Sequence, residues 1–151
     1  MFVKFSHVGI VVHDIERAKE LWYKTYGLKA THTRVVPEEG IKNTMLPIGT
    51  NAIELIEPID HSDMNNAVAR RLAERGEGIY HLAIFVDDVF KEGKELSEKG
   101  VRLIRRDATS STQVIRWVVH PKDASGALLE LMQTSPEVEQ KGIAYLMEPV
   151  P

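Results

Sequence analysis

The apolar and polar residues of the first 27 positions follow two successive patterns. An alternation of period two comes first, and it predicts a strand with His7 on one face and apolar side chains on the other. The apolar residues of this strand are Val8, Ile10 and Val12. Apolar residues then recur at helical spacing between Asp14, which suits an N-cap, and Gly27, which suits a helix end. The pattern therefore predicts a strand followed by an amphipathic helix.

The same two patterns begin again 74 residues later, at His81. Asp88 stands at the second N-cap position and Gly100 at the second helix end. Each copy closes with a matching strand, at residues 52–56 and 128–132, and has room for two more strands before it. The candidates for those strands are residues 29–36, 44–47, 103–106 and 113–119. We therefore predict an α+β fold made of two tandem β-α-β-β-β modules.

The boundaries of the modules follow from these patterns. Module one is expected to span residues 4–58 and module two residues 79–134, within one domain that covers all 151 residues. The linker between them, residues 59–78, contains an apolar spacing that predicts a helix over residues 64–75. The tail, residues 135–151, is polar and then apolar with prolines, a pattern that assigns it to no element.

Composition and charge narrow the possible partners. The net charge is −3 and no long basic run occurs, so nucleic acid and anionic membranes are not expected partners. No apolar run reaches the roughly 20 residues that a membrane helix needs. The first residues lack the basic-then-apolar layout of a signal peptide and the chain has no cysteine, which favours a cytoplasmic protein. Any metal would have to be bound through nitrogen and oxygen.

Four predicted strands each carry one ionisable side chain on an otherwise apolar face. These residues are His7, Glu54, His81 and Glu130. A charged carboxylate on such a face is costly to bury without a partner, and here a carboxylate recurs at the matching place of each module. Two imidazoles and two carboxylates make a complete ligand set for one first-row divalent ion, with Co, Mn, Ni and Zn as candidates. Any one of these residues taken alone would more often be structural or solvated.

Six stretches of the chain together resemble the vicinal oxygen chelate superfamily, and most of all its methylmalonyl-CoA epimerase family. They read HVGIVV from residue 7, VVPEEG from 35, IELIEP from 53, RGEGIYHLAIFVDD from 75, KGVRLI from 99 and HPKDASGALLEL from 120. The resemblance covers residues 4–133. It implies an open eight-stranded half-barrel with one metal ion inside, held by the two histidines and two glutamates named above.

The resemblance also implies a reaction and the residues that perform it. A metal-stabilised enolate of methylmalonyl-CoA or a similar acyl-CoA would form, and the α-carbon would be inverted in what is expected to be a homodimer. Glu38 would be one catalytic base and Glu130 the second. His120 and Lys122 would contact substrate, although a strand-end histidine and a solvated lysine fit the same positions.

Two departures from the epimerase pattern leave other functions open. Epimerases usually have Glu-Gln-Gly where this chain has Glu38-Glu39-Gly40, and a glycine-rich turn where it has residues 110–113. A glyoxalase I-type lyase or isomerase, similar to lactoylglutathione lyase, would use the same ligands. An extradiol dioxygenase usually uses two histidines and one carboxylate. A non-catalytic binding protein of the same fold commonly lacks the metal set.

Overall fold

The computed structural model describes residues 1–109 and 114–147, which form one eight-stranded sheet with four α-helices. The strands are β1 (Phe2–Val11), β2 (Arg34–Val36), β3 (Ile41–Ile48), β4 (Asn51–Pro58), β5 (Gly78–Val86), β6 (Leu103–Arg106), β7 (Ile115–Val119) and β8 (Leu128–Gln133). The helices are α1 (Ile15–Tyr26), α2 (Ala67–Arg75), α3 (Val89–Glu98) and α4 (Pro136–Lys141). Short 3-10 segments lie at Pro37–Glu39, Pro121–Asp123 and Ile143–Met147.

The two modules meet at the centre of the sheet. The strand order is β2-β3-β4-β1-β5-β8-β7-β6, and the central pair β1 and β5 is antiparallel. Each first strand also pairs in parallel with the last strand of its own module, β1 with β4 and β5 with β8. The sheet curves into an open half-barrel, so the predicted α+β architecture of two β-α-β-β-β modules is confirmed.

Helices α1 and α3 cover the outer face of the sheet. On α1, Ile15 and Ala18 pack with Val12 and Leu55, while on α3 Val89 packs in an equivalent cluster. Both helices begin where the sequence predicted, because the carboxylates of Asp14 and Asp88 accept hydrogen bonds from backbone N–H groups of the first turn. The outer layer therefore follows from the local sequence.

The linker helix and the tail occupy the inner face, the side that carries His7. Val68 and Leu72 of α2 pack at one end of this face against Val11 and Ile56. At the other end, residues of the tail pack against Met45 and Phe85. These tail residues are Val138, Ile143, Ala144 and Met147. The two segments leave a cavity between them.

Several element boundaries differ from the sequence prediction, and β3, predicted at residues 44–47, runs over Ile41–Ile48. Helix α2 begins at Ala67 and not at residue 64. Asn66 caps the helix, because its side chain accepts hydrogen bonds from the backbone N–H groups of Val68 and Ala69 in the first turn. Strand β2 covers three residues. Before it, the hydroxyl of Thr31, and not a backbone carbonyl, accepts the hydrogen bond from the backbone N–H of Met45 in β3, so regular strand pairing does not extend to Thr31. Strand β7 begins at Ile115, and residue 113 lies outside the described residues.

Within residues 1–109 and 114–147, no helix is long and apolar enough to cross a membrane.

Candidate metal centre and its cavity

The register of the central strands brings the two modules' histidines together. Gly9 of β1 lies opposite Glu54 on β4 and opposite His81 on β5. Two residues earlier in β1, His7 lies opposite Ala83 on β5, and Ala83 lies opposite Glu130 on β8. Directly opposed residues of adjacent strands share a face of the sheet. Two neighbouring rows of the inner face therefore carry both histidines and both glutamates.

The polar atoms of these residues converge on one point. The Nε2 atoms of His7 and His81 are 3.0 Å apart. Oε2 of Glu54 lies 3.3 Å from Nε2 of His7 and 3.2 Å from Nε2 of His81. Oε2 of Glu130 lies 4.0 Å from Nε2 of His81. All four residues that the sequence singled out as ligands thus meet in one cluster.

Burial and neighbouring charges act in opposite directions on the pKa values of Glu54 and His81. Burial disfavours the ionised form of Glu54, but hydrogen bonds and charge from His7 and His81 outweigh it and hold the pKa of Glu54 well below its usual range. Burial also disfavours the charged form of His81, but the negative charge of Glu130 and the contact with Glu54 outweigh it and raise the pKa of His81. Glu54 and His81 therefore each favour the charged form of the other.

The cluster fits a divalent ion. Side chains of His7, His81 and Glu130 each offer one ligand atom, and these atoms lie within 4.8 Å of one another. The buried Glu54 adds a second carboxylate, so the donor set is two nitrogens and two oxygens. Two imidazole nitrogens at 3.0 Å can share at most one proton when neutral, whereas both can bind a cation through their lone pairs. The residues present therefore suit a first-row metal.

Neighbouring polar groups hold the candidate ligands in place. The buried hydroxyl of Ser6 lies 3.1 Å from Nδ1 of His7, which leaves Nε2 of that ring directed at the cluster. The amide of Asn43 donates a hydrogen bond to Oε1 of Glu54, which leaves Oε2 of Glu54 facing the histidines. Nδ1 of His81 is buried and has no hydrogen-bond partner among the described residues.

An arginine links the second module's glutamate to the first module. Arg116 of β7 is buried and forms an ion pair with Glu39, which follows Glu38 in the 3-10 segment Pro37–Glu39. Its Nε also lies 3.5 Å from Oε1 of Glu130. Sequence analysis missed this residue, since its one visible signal is a charge within an otherwise apolar strand.

The cluster lies in the wall of a cavity of about 560 Å³. This volume is in the range of small-molecule sites. Glu38, the candidate base, lines the same cavity, as do Val68 of α2 and Ile143 of the tail. Because a carboxylate outside the ligand cluster shares the cavity with it, the arrangement suits proton transfer on a molecule bound at the cluster.

The two predicted substrate contacts lie elsewhere. The exposed His120 follows β7, and its Nδ1 accepts a hydrogen bond from the backbone N–H of Lys122. Among the described residues, the lining of the cavity includes neither side chain. The altered turn at residues 110–113 lies outside the described residues.

Comparison with known proteins agrees with this geometry. The model of the Glyoxalase/Bleomycin resistance protein/Dioxygenase superfamily matches residues 6–117. The mitochondrial methylmalonyl-CoA epimerase of Bos taurus is 28% identical over 131 residues, covering 86% of this chain and 74% of the relative. These matches confirm the resemblance inferred from the motifs.

Two solved structures share the fold over nearly the whole chain. The methylmalonyl-CoA epimerase of Mycobacterium tuberculosis has a TM-score of 0.78 at 31% identity and covers 91% of each chain. A variant of the Streptomyces coelicolor methylmalonyl-CoA epimerase, in complex with 2-nitronate-propionyl-CoA, has a TM-score of 0.80 at 30% identity and covers 89% of this chain and 99% of its own. The chain is thus similar to isomerases, as the sequence predicted.

Proposed function

This chain belongs to the Glyoxalase/Bleomycin resistance protein/Dioxygenase superfamily, and we propose that it is a metal-dependent epimerase that inverts the α-carbon of methylmalonyl-CoA or a similar acyl-CoA. The observation that carries the proposal is the meeting of His7, Glu54 and His81 beside Glu130 in a cavity that Glu38 also lines. The known epimerases with the same fold supply the substrate class.

In this proposal the four clustered residues hold the ion, and two carboxylates move the proton. A divalent ion held by these residues would supply Lewis acidity toward negative charge on the thioester oxygen. An oxygen of Glu38 takes the α-proton from one side of the acyl group. Glu130, which starts this half-reaction with a proton on one oxygen, gives that proton to the opposite side, and the two residues exchange roles for the other stereoisomer. Buried neighbours such as Ile143 and Val68 limit access of water to the reacting carbon.

Other features of the proposal rest on the sequence resemblance. The identity of the metal among Co, Mn, Ni and Zn, substrate contacts by His120 and Lys122, a homodimer and a cytoplasmic location all stay predictions.

Exchange of the α-proton in deuterated water tests the proposal directly. The protein is reconstituted with Co²⁺ or Mn²⁺ and given one stereoisomer of methylmalonyl-CoA, and deuterium incorporation and inversion are followed by NMR. We expect both to depend on the added metal and to be lost in His7→Ala. If the metal-loaded wild type left every tested acyl-CoA unchanged, the epimerase assignment would be wrong. Turnover of the hemithioacetal substrate of lactoylglutathione lyases would then favour the glyoxalase-type alternative.

A further inference from the structure

Arg34 lies on the inner face of the half-barrel, in the same wall as the ligand cluster. It pairs with Asn43 across β2 and β3, and Asn43 pairs with Ile56 across β3 and β4. These three residues form one row of the inner face, next to the row that carries Glu54. The side chain of Arg34 lines the cavity that contains Glu54 and His81.

Within the described part of the chain, the guanidinium of Arg34 lacks the ion-pair partner that a half-buried arginine normally has. Its Nε is buried and has no hydrogen-bond partner among the described residues. No carboxylate of residues 1–109 or 114–147 forms an ion pair with it. A half-buried charge of this kind is costly unless something else binds it. A ligand in the cavity is in position to do so.

Comparison with Arg116 sets Arg34 apart. Both arginines line the cavity, but Arg116 already contacts the carboxylates of Glu39 and Glu130. Burial lowers the pKa of Arg34, although the nearby Glu54 acts in the opposite direction. Arginine nevertheless stays protonated in proteins, so Arg34 keeps a full positive charge beside the cluster.

The chemistry of a guanidinium suits an anionic group at this place. The cavity wall carries both carboxylates and arginines, and Arg116 is already paired with Glu39 and Glu130. A planar guanidinium can bind a carboxylate through two parallel hydrogen bonds, which supplies both the charge and the orientation.

We propose that Arg34 binds a carboxylate carried by the acyl group of the substrate and so selects malonyl-type acyl-CoA thioesters over uncharged ones. This inference rests on the proposed function, since it concerns the acyl group held at the same site. Arg34 is then a specificity-determining residue: it binds the acyl group, while the α-proton is transferred by the two carboxylates already named.

Binding measurements separate this inference from the epimerase proposal. Calorimetric titrations with methylmalonyl-CoA and with propionyl-CoA, which lacks the carboxylate, are made on Co²⁺-loaded wild type, Arg34→Gln and Arg34→Lys. We expect Arg34→Gln to weaken methylmalonyl-CoA binding by about tenfold or more while propionyl-CoA binding stays within about twofold, because a charged hydrogen bond is lost for one ligand alone. Arg34→Lys should fall between wild type and Arg34→Gln.

The matched control is Arg105→Gln. Arg105 lies next to the cavity-lining Arg106 on β6, but its guanidinium pairs with Asp107 on the exposed surface. This variant removes the same charge and should leave both affinities unchanged.

Two results would overturn the inference. One is a wild type that binds methylmalonyl-CoA no more tightly than propionyl-CoA. The other is an Arg34→Gln variant that weakens both thioesters equally or neither. A wild type that prefers methylmalonyl-CoA through Arg34, yet exchanges no α-proton, would retain the inference and refute the epimerase proposal.

Discussion

The backbone of Gly9 lies directly beneath the imidazole ring of His81. A Cβ atom placed on Gly9 would be 2.4 Å from Cε1 and 2.7 Å from Nε2 of His81, closer than real side chains approach. The equivalent residue of the second module, Ala83, carries a methyl group, so the two halves of the repeat are not interchangeable here. The glycine lets the His81 ring reach across β1 toward Glu54.

We predict that Gly9→Ala displaces the His81 ring and weakens metal binding by roughly a hundredfold, the upper end of what disturbed ligand orientation costs. Titration of the metal-free protein with Co²⁺, followed by visible absorption, measures the affinity. Wild-type affinity in the variant would mean that the ring of His81 does not contribute a ligand.

Gly93→Ala provides the matched control. A Cβ on Gly93 would also come within 2.4 Å of a ring, that of Trp117, but in the outer layer between α3 and β7. This variant should lower Tm through overpacking while its metal affinity stays unchanged. Equal loss of metal in both variants would point to general destabilisation.

The cluster of candidate ligands predicts that the protein binds about one divalent ion per chain. His7→Ala and His81→Ala each remove one of two nitrogens that lie 3.0 Å apart, so each should lose most of the bound metal. Elemental analysis after reconstitution and gel filtration checks the stoichiometry, with the exposed His32→Ala as control. Unchanged metal content in both variants would rule out a centre built on these histidines.

Glu38 allows catalysis to be separated from metal binding. It lines the cavity, and it follows Pro37 in a 3-10 segment apart from the ligand cluster. Glu38→Gln should therefore keep its metal but lose turnover of methylmalonyl-CoA by roughly 10²-fold or more, the usual worth of a positioned base. Glu130→Gln should instead disturb both metal content and turnover.

Isotope exchange in Glu38→Gln gives a finer test. Washout of the α-proton should persist from one stereoisomer, through Glu130, while inversion fails. The exposed Glu98→Gln, in α3, is the control. Normal turnover by Glu38→Gln would exclude Glu38 as a base.

The surroundings of Glu57 predict how the free energy of unfolding depends on pH. Its carboxylate accepts a hydrogen bond from the backbone N–H of Ile15 at 2.9 Å and binds Lys42 at 2.7 Å, with His61 at 3.5 Å. Burial alone would raise the pKa of Glu57, but hydrogen bonds from Lys42 and Ile15, together with His61, outweigh it and lower that pKa. Because the pKa of Glu57 is lower in the folded state, its carboxylate stabilises the fold at pH values above the unfolded pKa of about 4.3. That stabilisation is lost as pH falls through the pKa of the folded state.

Glu57→Gln should therefore be less stable than wild type at neutral pH, by about 1 kcal/mol, and the difference should shrink as pH falls below roughly 4. Urea unfolding of the metal-free proteins between pH 3 and 7 measures this difference. Glu74→Gln, an exposed change on α2, serves as control. A stability difference that stayed constant with pH would contradict the assigned ion pairs.

Local sequence was sufficient for much of the fold and for the choice of candidate ligands. The period-two alternation around His7 and His81 determined which face each ring takes, because a strand has two faces and the outer one had to be apolar. Asp14 and Asp88 marked the helix starts, because their side chains cap backbone groups only a few residues away. The repeat then implied that the two halves pair, which placed Glu54 and Glu130 together.

Only the tertiary structure decided how the cavity is enclosed and charged. Neither α2 nor the tail is identified by its sequence as an inner-face element, because its apolar stripe would suit either side of the sheet. Arg116 pairs with Glu39, which lies 77 residues away in the chain, and the sequence around a charged strand residue does not identify the residue that it pairs with. Arg34 and Gly9 acquire their importance from cross-strand register, which depends on which strands pair. The sequence thus determined the types of the candidate ligands and the faces they occupy, and long-range strand pairing decided the distances between them.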